Sequence, residues 1–564
     1  MVRRGRWSGG DGSFRTMVRP GRTSQPHNPA RRKQQLPPDD HCIAGGSSFI
    51  SHQWSYGDSG PEGTVLSGPV FKFVEFKYDE FLLTYEHPYY ILITVFPNNP
   101  GRRRFIMLYF RDREKEQLDN FVSQPRYKAM AIYGRRRTGK TALILDFLEN
   151  NQDSPMAYFQ ITTFDYLSCL NDFISVLSSF NSQLEPLLRP YSTFRDVFTF
   201  LSSTQLVHPA LIIIDEFPFL ARKNENVAVE FQWIIDHALK KTKLILLGSN
   251  LSFMRKQIQN DQSPLYGRFD VIMEVLPFSF SEVHQLFPDF DKAIEVFAQT
   301  GGVAQYVMYF KDYPSVQQAS ETLLFNRTGH LFLEAPNLLM QEVRDITTYV
   351  SILRVIGIAE KDSGKIAKQC GMDQRNIYPY LNKLIDLEIV SLVDNPLSAK
   401  KEHRYRISDS FFRFYYTFLE PNVSLISTLR EKSRSIILND QYHEFLGFVY
   451  EDIIRGNIFQ YALDYQLPFV PRSAGKWWGQ ICKNSIWQES EVDVIAYDDH
   501  HLIVGECKFR SKAAGLQELD NLKLKAQFIP AKNRELFFLL ASKNGFTEEV
   551  KQLQNSHLLL IDQV

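Results

Sequence analysis

The residues best placed to do chemistry form a glycine-bounded loop between an apolar run and an apolar-periodic stretch. Residues 134–141 read GRRRTGKT. This spacing is typical of a phosphate-binding loop, because glycines let successive backbone N–H groups converge on an anion. Lys140 would add positive charge near the terminal phosphates, and Thr141 would offer a hydroxyl to Mg²⁺. We therefore expect ATP and Mg²⁺ to be held by the loop residues Gly134, Arg135, Arg136, Arg137, Thr138, Gly139, Lys140 and Thr141.

Two carboxylates follow a second aliphatic run. Residues 210–214 read ALIII and lead directly into Asp215 and Glu216. Such a run is typical of a buried parallel strand, whose carboxyl end lies at the ligand-binding edge of a sheet. We expect Asp215 to hold Mg²⁺, directly or through water, and Glu216 to orient and deprotonate the attacking water. The alternative is a pair of surface acids that end a strand.

A third group of charges lies near the C-terminus, on two stretches that alternate like strands. Period-two alternation predicts that Glu491 and Asp493 share one face of the first strand, and that Glu506 and Lys508 share one face of the second. The opposite, apolar face would carry Val492, Val494 and Cys507. With Glu451 on an upstream helix, the charges could hold Mg²⁺ and stabilise an attacked phosphodiester. A hairpin with solvated charges is the alternative.

The elements around these candidates divide the chain into a leader and four domains. Residues 1–106 are rich in Arg, Gly, Ser and Pro at their start, which is typical of disorder, and we hypothesise that Met107 is the natural first residue. The rest predicts an α/β P-loop core with a parallel sheet, a helical lid, a winged helix and a C-terminal α/β domain. Their boundaries are 107–278, 279–346, 347–408 and 409–564.

Two further candidates follow the predicted core strands. A strand over residues 243–248 leads into Ser249 and Asn250, either of which could sense the terminal phosphate, although a plain strand-end turn fits equally well. Arg268 could reach a γ-phosphate in its own or a neighbouring subunit, which would imply a homo-oligomer. The alternative for Arg268 is a surface ion pair.

Residues 347–407 match the pattern of a winged helix. A helix over residues 363–370, a turn at Gly371 and a helix over residues 373–386 form a helix-turn-helix, and two strand-like runs follow it. The second helix would expose polar side chains suited to phosphates and bases: Gln374, Arg375, Asn376, Asn382 and Lys383. Pro379 inside that helix removes a hydrogen bond and costs about 3 kcal/mol. DNA contact and packing within an NTPase therefore both remain open.

Seven motifs occur in a recognisable order along the chain. They are REKE at residues 113–116, GRRRTGKT, LIIIDEFPFL, LLGSN, LYGRFD, LPFSFSEV and TGGVAQYV. This order resembles that of a family of predominantly archaeal and bacterial P-loop ATPases related to AAA+ and STAND NTPases, over about residues 107–564. The strand between the two core motifs and the Glu beside Asp215 resemble the additional-strand, AAA+-like branch, which implies hydrolysis of ATP. The chain departs from the family at Ala304, where proline is usual, which weakens the expectation that the lid contacts nucleotide.

The C-terminal spacing of Asp493, Glu506 and Lys508, with Glu451 upstream, resembles the PD-(D/E)xK restriction-like nuclease core. It also resembles the C-terminal domain, of unsettled function, that accompanies this ATPase family. The resemblance implies a nuclease-like fold, although retained residues do not by themselves establish cleavage.

Composition excludes several classes of protein. The chain has 564 residues with 64 Lys and Arg against 64 Asp and Glu, so it is no globally basic nucleic-acid binder and any DNA contact needs a local patch. The scattered cysteines, 5 in number, give no zinc or disulfide framework and suit a reducing cytoplasm. No apolar run approaches the roughly 18 residues of a membrane span.

Two functional interpretations follow from these residues. In the first, Mg²⁺-dependent ATP hydrolysis drives a DNA-associated, nuclease-like C-terminal effector. In the second, a slow STAND-like switch acts through protein contacts alone, without nuclease activity. DNA cleavage that depends on Asp493 and Lys508 would favour the first, and absence of DNA binding at low salt would favour the second.

Overall fold

The computed structural model describes residues 108–562, apart from the internal positions 153, 164, 222, 223, 225 and 399–402. The predicted leader, residues 1–106, lies outside the described part of the chain, as does Met107.

Five parallel strands form the sheet that carries the phosphate loop. They are β1 (Ala129–Tyr133), β2 (Met156–Gln160), β3 (Leu211–Asp215), β4 (Lys243–Gly248) and β5 (Val271–Glu274). Their order across the sheet is β2-β3-β4-β1-β5, and every pairing is parallel. β1 and β3 are buried along their whole length, as their aliphatic sequences predict. The predicted α/β P-loop sheet is therefore confirmed.

Strand β4 occupies the position between the loop strand β1 and the acidic strand β3. This inserted strand confirms the additional-strand arrangement. The strand that lies between the two motifs in sequence, β2, is instead at the edge of the sheet. The helices that cover the sheet are α1 (Asp112–Ser123), α2 (Lys140–Asn150), α3 (Tyr166–Ser178), α4 (Leu184–Leu188), α5 (Phe194–Ser203), α6 (Phe217–Ala221), α7 (Asn226–His237) and α8 (Leu251–Gln259).

Eight helices and a short hairpin follow the core. The predicted lid contains α9 (Phe280–Leu286), α10 (Phe290–Thr300), α11 (Ala304–Lys311), α12 (Val316–Leu323) and α13 (Glu334–Glu342). The next segment contains α14 (Ile346–Gly357), α15 (Ser363–Gln369), α16 (Gln374–Asp386) and the antiparallel strands β6 (Val390–Asp394) and β7 (His403–Ile407). Helix α16 continues through Pro379. Two helices and two strands form at the predicted positions, and the winged helix and its use in DNA contact stay predictions.

A second five-stranded sheet forms the C-terminal domain. Its strands are β8 (Ser473–Lys483), β9 (Ile486–Tyr497), β10 (His501–Lys508), β11 (Glu535–Ser542) and β12 (Leu558–Ile561), in the order β12-β11-β10-β9-β8. β8, β9 and β10 are antiparallel neighbours, whereas β10, β11 and β12 are parallel. The helices are α17 (Ser410–Phe414), α18 (Val423–Leu429), α19 (Ser433–Ile437), α20 (Asp440–Gly456), α21 (Ile458–Asp464), α22 (Leu516–Ala526) and α23 (Glu548–Lys551). Single turns of π or 3₁₀ helix lie at Tyr415–Leu419, Glu420–Asn422 and Arg430–Lys432.

The register between β8 and β9 shifts beside the predicted acidic site. Gly475 pairs with Ile495 but Trp477 pairs with Val492, so one strand carries an extra residue there. As a result Val492 packs in the core on the α22 side, whereas Val494 and Cys507 pack in the core on the α20 side. The predicted common face for these three residues is wrong, because a bulge interrupts period-two alternation.

Two further features of the fold concern membrane spans and cysteines. Within the described part of the chain, no helix combines the length and the apolar character needed to cross a membrane. The described cysteines are all free: Cys169, Cys370, Cys482 and Cys507.

Candidate functional site

The phosphate loop owes its shape to two glycines. Gly134 has φ +156°, and a Cβ there would lie 2.4 Å from the Val275 carbonyl oxygen, so a side chain would collide with the main chain just after β5. Gly139 has φ +95° and is the N-cap of α2, a left-handed conformation that glycine adopts without strain. Thr138 braces the loop from inside, since its hydroxyl donates to the Arg135 carbonyl at 2.9 Å. These constraints hold the loop at the N-terminus of α2, where phosphate binds.

Lys140 lies folded against its own loop. Its ammonium group donates to the carbonyl oxygens of Gly134 at 3.0 Å and Arg135 at 2.6 Å. Burial lowers the pKa of Lys140 to about 8, although Glu216 and Asp215 favour the charged form. A triphosphate would supply the negative charge that this buried ammonium lacks.

Thr141 and Asp215 form the pair predicted to hold Mg²⁺. The Thr141 hydroxyl donates to Asp215 Oδ2 at 2.8 Å, which joins the start of α2 to the end of β3. The Tyr158 hydroxyl, from β2, donates to the same oxygen at 2.8 Å. Burial, followed by the Asp215 charge, raises the pKa of Tyr158, so its hydroxyl remains a donor. A hydroxyl and a carboxylate oxygen are ligands that Mg²⁺ accepts, so these residues fit that ion.

Glu216 stands at the end of β3 in a strained conformation. Its φ is +55°, unusual for a residue with a side chain, and its N–H donates to Asp215 Oδ1 at 2.8 Å. The Ser249 hydroxyl donates to both Glu216 carboxylate oxygens, at 2.7 and 2.9 Å. Glu216 is therefore held by Ser249, whereas Asp215 is held by Thr141 and Tyr158, consistent with separate roles for the two acids.

A cavity of about 850 Å³ lies above the loop. This volume suits a small ligand such as a nucleotide. Its lining residues come from the chain before α1, from the loop, from the ends of β3 and β4, and from the lid: Leu108, Tyr109, Arg111, Arg136, Arg137, Thr138, Gly139, Lys140, Thr141, Ala142, Glu216, Ser249, Phe278, Ala304, Gln305, Met308, Glu334, Asn337, Leu338, Met340 and Gln341. The lid therefore lines the cavity at Ala304 itself, despite the missing proline.

The flanking arginines of the loop are held by later parts of the chain. Arg135 forms an ion pair with the buried carboxylate of Asp409, just before α17. Arg137 forms an ion pair with buried Glu334 of α13 at 2.8 Å. Tyr306 of α11 donates to the same carboxylate at 2.7 Å. The phosphate loop is thus joined directly to the lid and to the segment that follows the hairpin.

Two predicted phosphate contacts are engaged elsewhere. Asn250 caps α8 by accepting from the Phe253 N–H at 2.8 Å, and its amide donates to Glu342 at 2.7 and 2.9 Å. Arg268 pairs with Asp236 at 2.9 Å, and neither Asn250 nor Arg268 lines the cavity. Within one chain Arg268 is therefore placed as a surface ion-pair partner, and Ser249 is the strand-end residue that faces the cavity.

The charged residues predicted near the C-terminus come together on β9, β10 and α20. The Glu506 carboxylate accepts from Lys508 and from Lys525 of α22, each at 2.7 Å. The contact between Glu506 and Lys508 confirms that they share one face of β10. Asp493 Oδ2 accepts from the Cys507 N–H at 2.8 Å.

Glu451 joins this group from α20. Lys476 of β8 lies 3.0 Å from Glu451 and 3.5 Å from Glu360, which lies in the loop between α14 and α15. Burial and then the charges of Glu451 and Glu506 raise the pKa of Asp493 to about 7. The acids are therefore close enough to repel one another. Lys476 of β8, Lys508 of β10 and Lys525 of α22 offset that repulsion.

The acids do not form a ready metal cage. Among the residues that the structure describes, no group of three or more His, Cys, Asp or Glu side chains is arranged to hold a metal ion. Glu451 and Glu506 instead accept from lysines. The Mg²⁺ site expected at the C-terminal residues stays a prediction, and in this arrangement ammonium groups lie against the Glu451 and Glu506 carboxylates.

A line of ion pairs runs from the phosphate loop toward these acids. Asp409, the partner of Arg135, caps α17 and accepts from the Phe412 N–H at 2.7 Å. Arg413 of the same helix lies 3.7 Å from Asp452 of α20. Asp452 also pairs with Arg455, at 2.8 Å, and with Arg406 of β7.

The far end of this line contacts the acidic group through a main-chain atom. Arg455 Nε donates to the Asp493 carbonyl oxygen at 3.0 Å. Burial opposes ionisation of Asp452, but Arg406, Arg455 and Arg413 hold its pKa below the ordinary value. The short helix α17 therefore has an anion paired with the loop at one end and a cation paired with α20 at the other.

The helix predicted to read DNA is partly covered. Gln374, Arg375 and Asn376 are exposed at the start of α16, but Lys383 donates to Ser252 of α8 at 3.1 Å. In the hairpin, Arg404 of β7 donates to Glu491 of β9 at 2.6 Å. Lys383 is thus engaged by the ATPase core, whereas Gln374, Arg375, Asn376 and Asn382 are exposed on α16.

Several residues of these sites carry no signal in the sequence. Tyr158, Glu334, Asp409, Lys476 and Lys525 belong to elements far from the motifs and have no fixed spacing to them. The one available hint is that parallel strands end at the same sheet edge, which could have pointed to the end of β2.

Comparisons with known proteins relate two segments of the chain to known families. Residues 110–310 match the family model described as an ATPase domain predominantly from Archaea. Residues 415–520 match a family model described as archaeal and bacterial proteins of unknown function. An uncharacterized protein of Methanocaldococcus jannaschii is 28% identical over 477 residues, which span 80% of this chain and 99% of that protein.

Two solved structures illustrate the likeness in fold. The ORC2 protein of Aeropyrum pernix, in ADPNP–ADP complexes, aligns with TM-score 0.38 and 14% identity over 58% of this chain and 96% of its own. Cdc6p of Pyrobaculum aerophilum aligns with TM-score 0.29 and 13% identity over 60% of this chain and 97% of its own. At these values neither structure informs the chemistry of this chain.

Proposed function

We propose that this chain, a member of the prokaryotic P-loop ATPase family, couples Mg²⁺-dependent ATP hydrolysis to a DNA-associated, nuclease-like C-terminal domain. The observation that carries the ATPase part is that Lys140, Thr141 and Glu216 line one cavity while Asp215 accepts a hydrogen bond from Thr141. These are the cation, the metal ligands and the base that phosphoryl transfer to water needs.

In the proposed reaction, Glu216 accepts a proton from water while the water oxygen bonds to the γ-phosphorus. The bond from the γ-phosphorus to the bridging oxygen breaks, which gives ADP and inorganic phosphate. Lys140 leaves the loop carbonyls and pairs with the terminal phosphates. Thr141 and Asp215 would hold Mg²⁺, which supplies positive charge to the phosphate oxygens. Ser249 keeps the Glu216 carboxylate oriented.

The proposed coupling is supported by the ion pairs on both ends of α17. A phosphate in the loop would change the electrostatic surroundings of Arg135, and Arg135 is the partner of Asp409. Movement of α17 would shift Arg413 against Asp452, beside Glu451. Such a path supports coupling only if substitutions along it change the response to ATP.

The proposed effector activity is cleavage of a phosphodiester near Glu451, Asp493, Glu506 and Lys508. The support is their convergence and the raised pKa of Asp493, since perturbed acids gather at functional sites. DNA would approach through exposed side chains such as Arg375 at the start of α16.

The deciding experiment incubates the full chain with plasmid or single-stranded DNA, Mg²⁺ and ATP. We expect cleavage that disappears in Asp493→Ala and Lys508→Ala but persists in Glu489→Ala, which removes an exposed acid from the same strand. ATP hydrolysis should continue in all three variants. Hydrolysis without DNA cleavage or low-salt DNA binding would contradict the effector and leave the STAND-like switch.

A further inference from the structure

The cavity above the phosphate loop is lined by four cations, and three of them have partners. Arg111 donates to the carbonyls of Thr138 and Leu276 at 2.9 and 2.8 Å. Lys140 donates to loop carbonyls, and Arg137 pairs with Glu334. These three are held by the fold before any ligand arrives.

Arg136 differs from its neighbours on both sides. Its Nε atom is buried and has no hydrogen-bond partner. Among the residues that the structure describes, Arg136 also forms no ion pair, whereas Arg135 pairs with Asp409 and Arg137 with Glu334. The three consecutive arginines of the loop therefore have different surroundings. Arg135 and Arg137 each contact an acid, whereas Arg136 lines the cavity.

An unpaired guanidinium nitrogen in such a place is costly. Burying a polar group without a partner costs about 1–3 kcal/mol, and more for a charged group. The positive charge of Arg136 also lowers the pKa of the nearby Lys140 ammonium, so the two cations repel each other. An anion placed between these two cations would relieve both penalties.

The position of Arg136 indicates which part of a nucleotide it would meet. It lines the main cavity together with Glu216 and Ser249, and it also lines a smaller adjoining cavity that Ser249 shares. Glu216 is the group proposed to position the attacking water. The phosphate nearest Glu216 is the one that water attacks, and Arg136 shares the cavity with Glu216.

We propose that Arg136 is the arginine that contacts the γ-phosphate within the same chain, the role first considered for Arg268. This inference rests on the proposed ATPase function. It makes Arg136 a residue that senses the triphosphate and stabilises charge in the transition state, while Arg135 and Arg137 connect the loop to the rest of the chain. Arg268 is then not required within the subunit, because it pairs with Asp236 outside the cavity.

The test compares Arg136→Ala and Arg136→Lys with Arg126→Ala, an exposed arginine outside the cavity. The readouts are kcat at saturating ATP and the separate affinities for ADP and for a non-hydrolysable ATP analogue. Arg136→Ala should lower kcat by about 10²–10³-fold, the usual effect of losing one donor to developing charge. It should weaken binding of the ATP analogue by about tenfold or more. The affinity for ADP should change by less than about threefold.

A partial recovery of kcat and analogue affinity in Arg136→Lys would further support contact with an anion. Equal loss of ADP and analogue affinity would assign Arg136 a structural role and overturn the proposal, as would a kcat in Arg136→Ala within about threefold of wild type. If the wild-type chain binds nucleotide without hydrolysing it, the ATPase proposal fails. The ratio of analogue to ADP affinity still decides the role of Arg136 in that case.

Discussion

The two charged regions of this chain differ in how their side chains are satisfied. At the phosphate loop a buried nitrogen of Arg136 has no partner and Lys140 is held only by carbonyls, beside a cavity of about 850 Å³. At the C-terminal group Glu451 and Glu506 already accept from lysines. The cations of the first region therefore lack an anion, which a ligand can supply. In the second region, lysines of the same chain already neutralise the carboxylates.

This difference gives the two regions different requirements for activity. The nucleotide site needs only its ligand, because the loop, the Thr141–Asp215 pair and Glu216 are already positioned. The C-terminal carboxylates must exchange lysines for another cation before they can bind a metal ion. The proposed coupling through α17 would allow one event to favour the other.

The largest expected effect separates the roles of the two acids at the nucleotide site. Glu216→Gln should lower kcat by about 10²–10³-fold, because the amide cannot accept the proton from water. Nucleotide affinity should stay within a few fold, since the Glu216 carboxylate is held by Ser249 and is proposed to contact the attacking water rather than the phosphates. Phosphate release and equilibrium binding measure the two quantities. Glu116→Gln, an exposed acid on α1, should behave as wild type. A parallel loss of binding and turnover would contradict the assignment.

The second prediction concerns the Arg135–Asp409 ion pair, which connects the phosphate loop to α17. Arg135→Ala leaves the buried Asp409 carboxylate without its cation, so the free energy of unfolding should fall by about 3 kcal/mol. The matched control is Arg189→Ala, which breaks an exposed pair with Glu185 and should cost less than about 1 kcal/mol. Chemical denaturation compares the variants. Equal losses would show that the Arg135–Asp409 pair is no stronger than a surface pair.

A third prediction tests the repulsion among the C-terminal acids. Because the pKa of Asp493 is raised to about 7 in the folded state, the folded chain retains a proton that the unfolded chain releases near pH 4. Stability contributed by this group is present below about pH 4 and is lost as pH rises to about 7. Asp493→Asn avoids the buried charge, so above pH 7 it should be about 1–3 kcal/mol more stable than wild type.

The measurement is the free energy of unfolding at pH 5 and pH 8. The advantage of Asp493→Asn should be larger at pH 8, whereas Glu489→Gln, an exposed acid on β9, should show no such dependence. An advantage of the same size at both pH values would mean that the acids do not interact as the structure indicates.

The smallest effect refines the proposed metal ligands. Tyr158→Phe removes one hydroxyl that donates to Asp215, so the Mg²⁺ concentration for half-maximal ATP hydrolysis should rise about tenfold. Turnover at saturating Mg²⁺ should be nearly unchanged. Tyr191→Phe, outside the cavity, serves as the control. An unchanged Mg²⁺ requirement would show that Tyr158 does not orient Asp215 for the ion.

The sequence predicted what is local and missed what is brought together from a distance. The loop and the end of β3 follow from glycine spacing and unbroken aliphatic runs, which leave few alternatives. Alternation also predicted that Glu506 and Lys508 share a face. The alternation failed at Val492, because the extra residue of a β-bulge interrupts the period of two and leaves no pattern in the sequence.

The partners of the charges could not be predicted for a similar reason. Asp409 and Glu334 are ordinary acids in sequence, and only the packing of later helices brings them to Arg135 and Arg137. The assignment of Arg268 shows the opposite case. A conspicuous arginine after a core helix is paired on the surface, whereas the functional candidate was inside the loop already identified.

The most direct test of the account is a calorimetric titration of ATP with Mg²⁺ into the folded chain. The account predicts saturable binding that is abolished in Lys140→Ala and kept in Lys256→Ala, an exposed lysine outside the cavity. No heat from the wild-type chain, or equal binding by wild type and Lys140→Ala, would contradict it.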